Sequence, residues 1–304
     1  MKSLGERNFF KGKKRLTGKT RMIISGKDLA REVKENIARK VASYKVEYGR
    51  EPHLCVILVG DDPSSRTYVR SKGKAAAEVG FQHTELLLPA EITEQELIDK
   101  IHELNADVGI DGILVQLPLP KHIRKHRVIE AIDPEKDVDG FHSHNVDALW
   151  HKLPGIRACT PKGIIKMLDK AGVEIAGHHA VVIGRSNIVG FPVAKLLLDR
   201  NATVTIAHSH TRNLGDITRT ADILVVAIGV PKLITADMVK DGVAVIDVGI
   251  SHDPETGKLS GDVDFDSVEP KASVITPVPG GVGPMTIACL MENTLDCYTR
   301  KMQW

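Results

Sequence analysis

No stretch of this 304-residue chain is apolar for long enough to span a bilayer, and no signal-peptide core stands near its start. Neither a membrane partner nor export is expected; a cytoplasmic location is. The four cysteines, Cys55, Cys159, Cys289 and Cys297, are scattered and form no Cys-x-x-Cys, so they read as reduced thiols. The thirteen histidines include no His-Glu-x-x-His, and no metal site is expected. Internal repeats and low-complexity segments are missing too. Basic surplus is confined to residues 1–21, which carry eight Lys/Arg against the single acid Glu6. The remainder holds 33 basic and 38 acidic side chains, a balance that argues against a nucleic-acid partner. The basic stretch has no hydrophobic period and reads as a disordered or start-site extension.

What is present is a globular composition, 42% hydrophobic and 26% charged, with alternating strand and helix patterns. Leu29, Val33, Ile37 and Val41 recur every four residues and predict a helix over 26–49. A buried strand is expected at 54–59, then a helix that Ser64 or Ser65 would cap, a strand near 86–88, and a helix after Thr93, where Thr93 and Glu96 fit a capping box. Gly112 to Leu117 reads as a strand and 124–132 as a short helix. Thr160-Pro161 is expected to start a helix to 171, with Thr160 as N-cap. Strands at 180–184, 203–207, 222–228, 243–249 and 273–276, a helix at 190–199 and a last helix from Pro284 complete the pattern. Short apolar strands between helices imply an α/β protein with parallel sheets covered on both faces. The segment 141–160, poor in apolar residues, places a domain boundary, and the last helix is expected to pack back on the first domain.

Several polar residues interrupt this pattern where ligands bind in α/β folds. Tyr68 and Lys72 lie four apart on the helix after the first buried strand, so a phenol and an amine share a face. Burial would lower the lysine pKa and fit it for acid–base work. Gln116 stands at a strand's C-terminal end, ahead of Leu117-Pro118-Leu119-Pro120. Asp137-Val-Asp139-Gly140 is an acidic turn, suited to a cation, to capping, or to gripping an amino-pyrimidine edge. Pro277-Val-Pro279-Gly280-Gly281-Val-Gly-Pro284 lets backbone approach a flat ligand. Gly184-Arg185-Ser186-Asn-Ile-Val-Gly190 joins a buried strand to a helix, as a phosphate-binding turn does, although it matches Gly-x-Gly-x-x-Gly incompletely and a structural turn would read alike. The next strand ends in His208-Ser209-His210-Thr211-Arg212, without the carboxylate that binds an NAD ribose. If a dinucleotide binds, those donors and Arg185 favour NADP. Gly73, inside the Tyr68/Lys72 helix, costs about 1 kcal/mol against alanine, with no reason visible in the sequence.

Together these segments resemble the bifunctional methylenetetrahydrofolate dehydrogenase/methenyltetrahydrofolate cyclohydrolase family in its bacterial form. The matching stretches are Tyr68-Val-x-x-Lys72, Gly112 to Pro120, Asp137 to Gly140, Gly184-Arg-Ser186 and Pro277 to Thr286, within about residues 23–300. The resemblance implies a catalytic domain over 22–155 joined by the helix 284–304, and a Rossmann-like NADP-binding domain over 156–283. It also implies tetrahydrofolate substrates in the cleft and a homodimer formed through the nucleotide domain. By the same resemblance Lys72 is the central catalytic residue, Tyr68 orients the folate, Gln116 tunes Lys72 and Asp139 binds the pterin. Pro118, Pro279, Gly280 and Gly281 would border the folate. Gly184, Arg185, Ser186 and Ser209 would hold the nucleotide and the backbone at Ile250 the nicotinamide; Arg212 joins them on the charge argument. Two other readings stay open: an NADP enzyme of the shikimate dehydrogenase type, using a Lys/Asp pair on a hydroxy acid, and a catalytically silent nucleotide-binding protein.

Overall fold

The computed structural model of the chain describes residues 21–253 and 257–303, so the extension at 1–21 lies, Arg21 apart, outside the described residues. The first half runs β1 (Met22–Ile23), α1 (Gly26–Tyr48), β2 (His53–Val59), α2 (Pro63–Val79), β3 (Gln82–Leu88), α3 (Glu94–Ala106), β4 (Gly112–Val115), α4 (Lys125–Ala131) and α5 (Ser143–Trp150). The second half runs α6 (Cys159–Lys170), β5 (His179–Ile183), α7 (Gly190–Asp199), β6 (Thr203–Ala207), α8 (Leu214–Thr218), β7 (Ile223–Val226), β8 (Ala244–Asp247), β9 (Ser251–His252), β10 (Leu259–Ser260), α9 (Phe265–Val268), β11 (Val274–Ile275) and α10 (Val282–Met302).

Two parallel sheets organise the molecule. The smaller has the order β3-β2-β4, with β2 central and Leu54 to Val59 buried. The larger has the order β1-β11-β8-β7-β5-β6, and every pairing in it is parallel. Runs such as Ile223–Val226 are buried throughout because helices cover both faces. Each sheet reverses its strand order once, at β2 with β4 and at β5 with β7, and crevices at such points collect ligands.

The chain crosses between the sheets at both ends. β1 pairs with β11 of the larger sheet, Met22 opposite Val274, although residue 22 was assigned above to the first unit. α10 returns to pack on α1, α2 and α6. Its buried face includes Met285, Leu290, Met291, Leu295 and Tyr298, each worth about 1.5–3 kcal/mol when removed from water. The Tyr298 hydroxyl donates to the Arg50 carbonyl at 2.8 Å, so this phenol is buried without an unpaired polar atom.

Helix starts follow local capping chemistry, in places not with the residues expected. The Thr93/Glu96 capping box forms. α2, however, is capped by Asp62 rather than Ser64 or Ser65: the Asp62 carboxylate accepts from the Ser65 N–H at 2.7 Å, and Pro63 takes the first turn. α6 begins at Cys159 with Ala158 as N-cap, because the Thr160 hydroxyl is engaged 2.9 Å from that of Thr286 on α10. Gln116 stands one residue beyond β4, and α10 starts at Val282 before Pro284. The segment 141–160 is not merely a connection but contains α5, too short to display a period. Gly73 finds its reason here: a Cβ would lie 2.7 Å from His83 Cε1 and 3.0 Å from Glu85 Oε1, so glycine lets α2 close on β3.

Candidate active site

α2 buries Ser65, Val69, Ala76 and Val79, a stripe at helical spacing on which Lys72 occupies the middle position. The fold therefore carries the amine inward where periodicity would place an apolar residue. Nζ donates to Gln116 Oε1 at 2.8 Å. Gln116 is itself fixed: its backbone N–H extends the ladder to the Ile57 carbonyl at 2.8 Å, and Nε2 donates to the Leu117 carbonyl at 2.7 Å. With Nε2 committed, the amide oxygen is the atom left to face Lys72. Burial pushes the amine below the ordinary lysine range, and the Asp139 carboxylate pushes back.

The two acids of the Asp137–Gly140 turn do different things. Asp137 is spent on structure, accepting from the Gly140 and His142 N–H groups at 3.1 and 2.9 Å and from Asn145 Nδ2 at 2.9 Å. Asp139 has no hydrogen-bond partner among the described residues. Burial pushes its carboxyl up to about 6, against the pull of Lys72 and with a further push from Asp137. Gly140 is required at φ 71°, since a Cβ would strike Ala158 N at 2.7 Å. Asn293 of α10 locks the turn, donating to the Val138 and Arg157 carbonyls at 2.9 Å each. It lies far from the turn in sequence and carries no motif, so no local signal marked it.

Tyr68, one turn before Lys72 and 44% exposed, faces the Pro277–Pro284 loop across a cavity of about 200 Å³. Pro279, Gly280, Gly281 and Ile250 line it, with Lys27, Asp247, Gly249 and Leu259, which sequence reading missed. Gly280 is needed at φ 107°. The loop docks on the start of α1, where the Lys27 N–H donates to the Gly280 carbonyl at 3.2 Å. Pro118 follows a cis bond in the loop after β4 and does not line this cavity.

At the reversal of the larger sheet lies a second cavity, of about 360 Å³, lined by Gly184, Arg185, Ser186, Ser209 and His208. Its other wall, Ala227, Ile228 and Val230 after β7, was not foreseen; the end of the strand beside the reversal is the signal that finds it. The incomplete glycine motif is structurally whole: a Cβ on Gly184 would lie 2.3 Å from the Ala227 carbonyl oxygen, and one on Gly190 would lie 2.1 Å from that of Gly184. The Ser186 hydroxyl accepts from the Val189 and Gly190 N–H groups at 3.2 and 3.4 Å, and the Ser186 carbonyl from the Phe191 N–H at 3.1 Å, so the start of α7 is tied back onto the glycine turn. No carboxylate lines the cavity, in keeping with a phosphorylated ribose. Arg212 is exposed in the loop after β6 and does not line it.

Both halves match one family's models. The tetrahydrofolate dehydrogenase/cyclohydrolase catalytic domain covers residues 24–139, and the NAD(P)-binding domain of that name covers 158–302. The chain belongs to the tetrahydrofolate dehydrogenase/cyclohydrolase family. It is similar to the bifunctional protein FolD of Streptococcus agalactiae, 54% identical over 280 residues, which make up 92% of this chain and 98% of that one. Among solved structures, FolD methylenetetrahydrofolate dehydrogenase/cyclohydrolase from Campylobacter jejuni superposes with a TM-score of 0.90 at 48% identity, covering 92% of this chain and 99% of the other. The Trypanosoma brucei enzyme complexed with NADP cofactor and inhibitor gives 0.90 at 41% identity, covering 93% and 99%. Among the described residues no group of His, Cys, Asp and Glu is placed to hold a metal, and no helix is long and apolar enough to cross a membrane.

Proposed function

We propose that this protein oxidises 5,10-methylenetetrahydrofolate to 5,10-methenyltetrahydrofolate with NADP⁺ and hydrolyses that product to 10-formyltetrahydrofolate. The observation that carries the reading is the Lys72–Gln116 bond of 2.8 Å, with the Asp139 carboxylate acting on the same amine.

Bound NADP⁺ would supply the hydride acceptor. The task of the chain in that step is placement. Tyr68 orients the folate against the Pro279, Gly280 and Gly281 backbone, with Pro118 at its border, and Asp139 accepts from the amino-pyrimidine edge. Gly184, Arg185, Ser186 and Ser209 hold the nucleotide, Arg212 adds charge outside the cavity, and the backbone at Ile250 meets the nicotinamide end. The methenyl carbon is cationic and open to water. Lys72, whose pKa burial lowers, takes a proton from the attacking water at Nζ and returns it to the ring nitrogen that departs, the remaining hydroxyl proton passing to solvent as the formyl carbonyl forms. Gln116 holds Nζ in place and offers no proton of its own to compete.

The domain division, 22–155 with 284–304 against 156–283 but with β1 counted to the larger sheet, serves this chemistry, since each unit brings one reactant. We also propose a homodimer formed through the nucleotide domain. β6 is the edge strand of the larger sheet, and beside it Phe141, Trp150, Ile188, Phe191 and Ile206 line a cavity of about 630 Å³. An open edge next to exposed aromatic surface favours a second copy paired there. Sedimentation of the wild type and a Phe191→Glu variant tests this; a monomeric wild type would refute it. The buried, unpaired cysteines accord with a cytoplasmic location.

A shikimate-dehydrogenase-type reaction would leave Gln116 and the Pro/Gly loop without a task. The deciding experiment is the NADP⁺-dependent assay with methylenetetrahydrofolate, following the methenyl product and its hydrolysis. Absence of turnover in the wild type would overturn the proposal.

A further inference from the structure

Asp247 and Asp262 are buried, and every hydrogen bond that their carboxylates make among the described residues comes from a backbone N–H. Asp262 Oδ2 accepts from Ile228 and Gly229, at 2.7 and 2.9 Å. Asp247 Oδ1 accepts from Gly249 and from Asp262 itself, at 2.9 and 3.0 Å, and its Oδ2 from Val263 at 2.9 Å. Asp262 Oδ1 is buried with no partner among the described residues, and a Cβ on Gly249 would fall 2.3 Å from it. Burial pushes the Asp247 carboxyl up to about 6, its N–H partners pull it down and the Asp262 charge pushes it up again. Buried acids are ordinarily paired with cations, and a pair held by amides alone is costly to the fold. What the pair fixes is backbone at the two cavities. Ile228 lines the nucleotide cavity, while Gly249 and Ile250 line the cavity beside Tyr68. Asp262 reaches both: one oxygen grips the Ile228–Gly229 turn and the other packs on Gly249.

We infer that Asp262 is a positioning residue for hydride transfer: its carboxylate clamps the Ile228–Gly229 turn to the Gly249–Ile250 segment and so sets the nicotinamide against the folate. The inference rests on the function proposed above, in which the backbone at Ile250 meets the nicotinamide end. Asp262 touches neither reactant, since it is buried behind both walls. Hydride passes only between rings held in contact and in line, and a misplacement of about 1 Å can slow such a step roughly 10²-fold. Hydrolysis runs on Lys72 at the smaller sheet and needs no nicotinamide. The clamp therefore serves one of the two activities and not the other.

The test compares wild type, Asp262→Asn and Asp262→Ala in three measurements. These are dehydrogenation with NADP⁺, hydrolysis of supplied methenyltetrahydrofolate without nucleotide, and NADP⁺ binding by calorimetric titration. The asparagine variant keeps an oxygen for the two N–H groups but loses the charge, and its kcat for dehydrogenation should fall roughly three- to tenfold. In the alanine variant the fall should reach about 10- to 100-fold. The Kd for NADP⁺ should rise about two- to fivefold in both, with hydrolysis within about twofold of wild type. An equal fall in the two activities would make Asp262 a support for the whole fold and overturn the clamp. So would dehydrogenation that matches wild type in both variants. If the alanine variant does not fold, the asparagine variant decides by the same ratio of activities. A wild type that turns over no methylenetetrahydrofolate sinks the proposed function; the Kd values for NADP⁺ then decide the clamp, and equal values in wild type and variants overturn it.

Discussion

The two ends of the cleft are built from different material. At the smaller sheet the site is made of side chains: Lys72, Gln116 and Asp139 converge from α2, the end of β4 and the turn after α4, the first two bonded to each other and the turn under Asp139 locked by Asn293. At the larger sheet it is made mainly of backbone, with Gly184 and Gly190 packed on each other and Ser186 closing the turn into α7. The contrast follows from the tasks. Moving a proton needs a titratable atom at a tuned pKa, which only a side chain supplies. Holding a phosphate needs several N–H groups pointing one way, which backbone supplies if no Cβ intervenes.

Substitutions at the two ends should therefore fail differently. The largest effect is expected from Lys72→Met, with hydrolysis of the methenyl product falling about 10²- to 10⁴-fold and hydride transfer much less. Assaying the two steps separately checks this, and an equal fall in both would erase the distinction between proton work and placement. Next, Gly184→Ala should cost about 1–3 kcal/mol of backbone strain at φ 122° and weaken NADP⁺ binding, with the folate KM unmoved; titration of the cofactor measures it. Arg185→Gln should lower kcat/KM with NADP⁺ roughly three- to tenfold and leave that with NAD⁺ as it was. Equal losses for both cofactors would remove the 2′-phosphate from the account.

Smaller still is the effect of Asp139→Asn on stability. Its folded carboxyl titrates at about 6 against an ordinary 3.8, so between these values the folded chain holds more protons than the unfolded one. The wild type should gain stability as pH falls from about 6 toward 3.8, and the asparagine variant should lose that dependence; Tm against pH shows whether it does. Smallest is Gly73→Ala, where a helix gain of about 1 kcal/mol is cancelled by contact with His83. Full stabilisation would mean that His83 gives way.

The same contrast explains what could be read in advance. Tyr68, Lys72, Gln116 and Asp139 are conspicuous because polar side chains interrupt apolar periods, and the fold gathers the last three. Ala227 to Val230 were missed because a backbone wall has no residue signature beyond its place after a strand. Asp137 and Asp139 looked alike in sequence, and only the turn's own hydrogen bonds tell the structural acid from the free one. Asp62 displaced Ser64 and Ser65 as cap because Pro63 fits the first helical turn. β1 joined the distant sheet because strand pairing of two residues leaves no pattern to read.

The central claim is that hydrolysis runs on a Lys72 amine whose pKa burial lowers and Asp139 raises. Its most direct test is the pH profile of methenyl hydrolysis at saturating substrate, in the wild type and in Asp139→Asn. The account predicts a limb that ascends with pH below the ordinary lysine range and moves to lower pH when the carboxylate is removed. A limb that stays in place in the variant, or that persists unchanged in Lys72→Met, would contradict it.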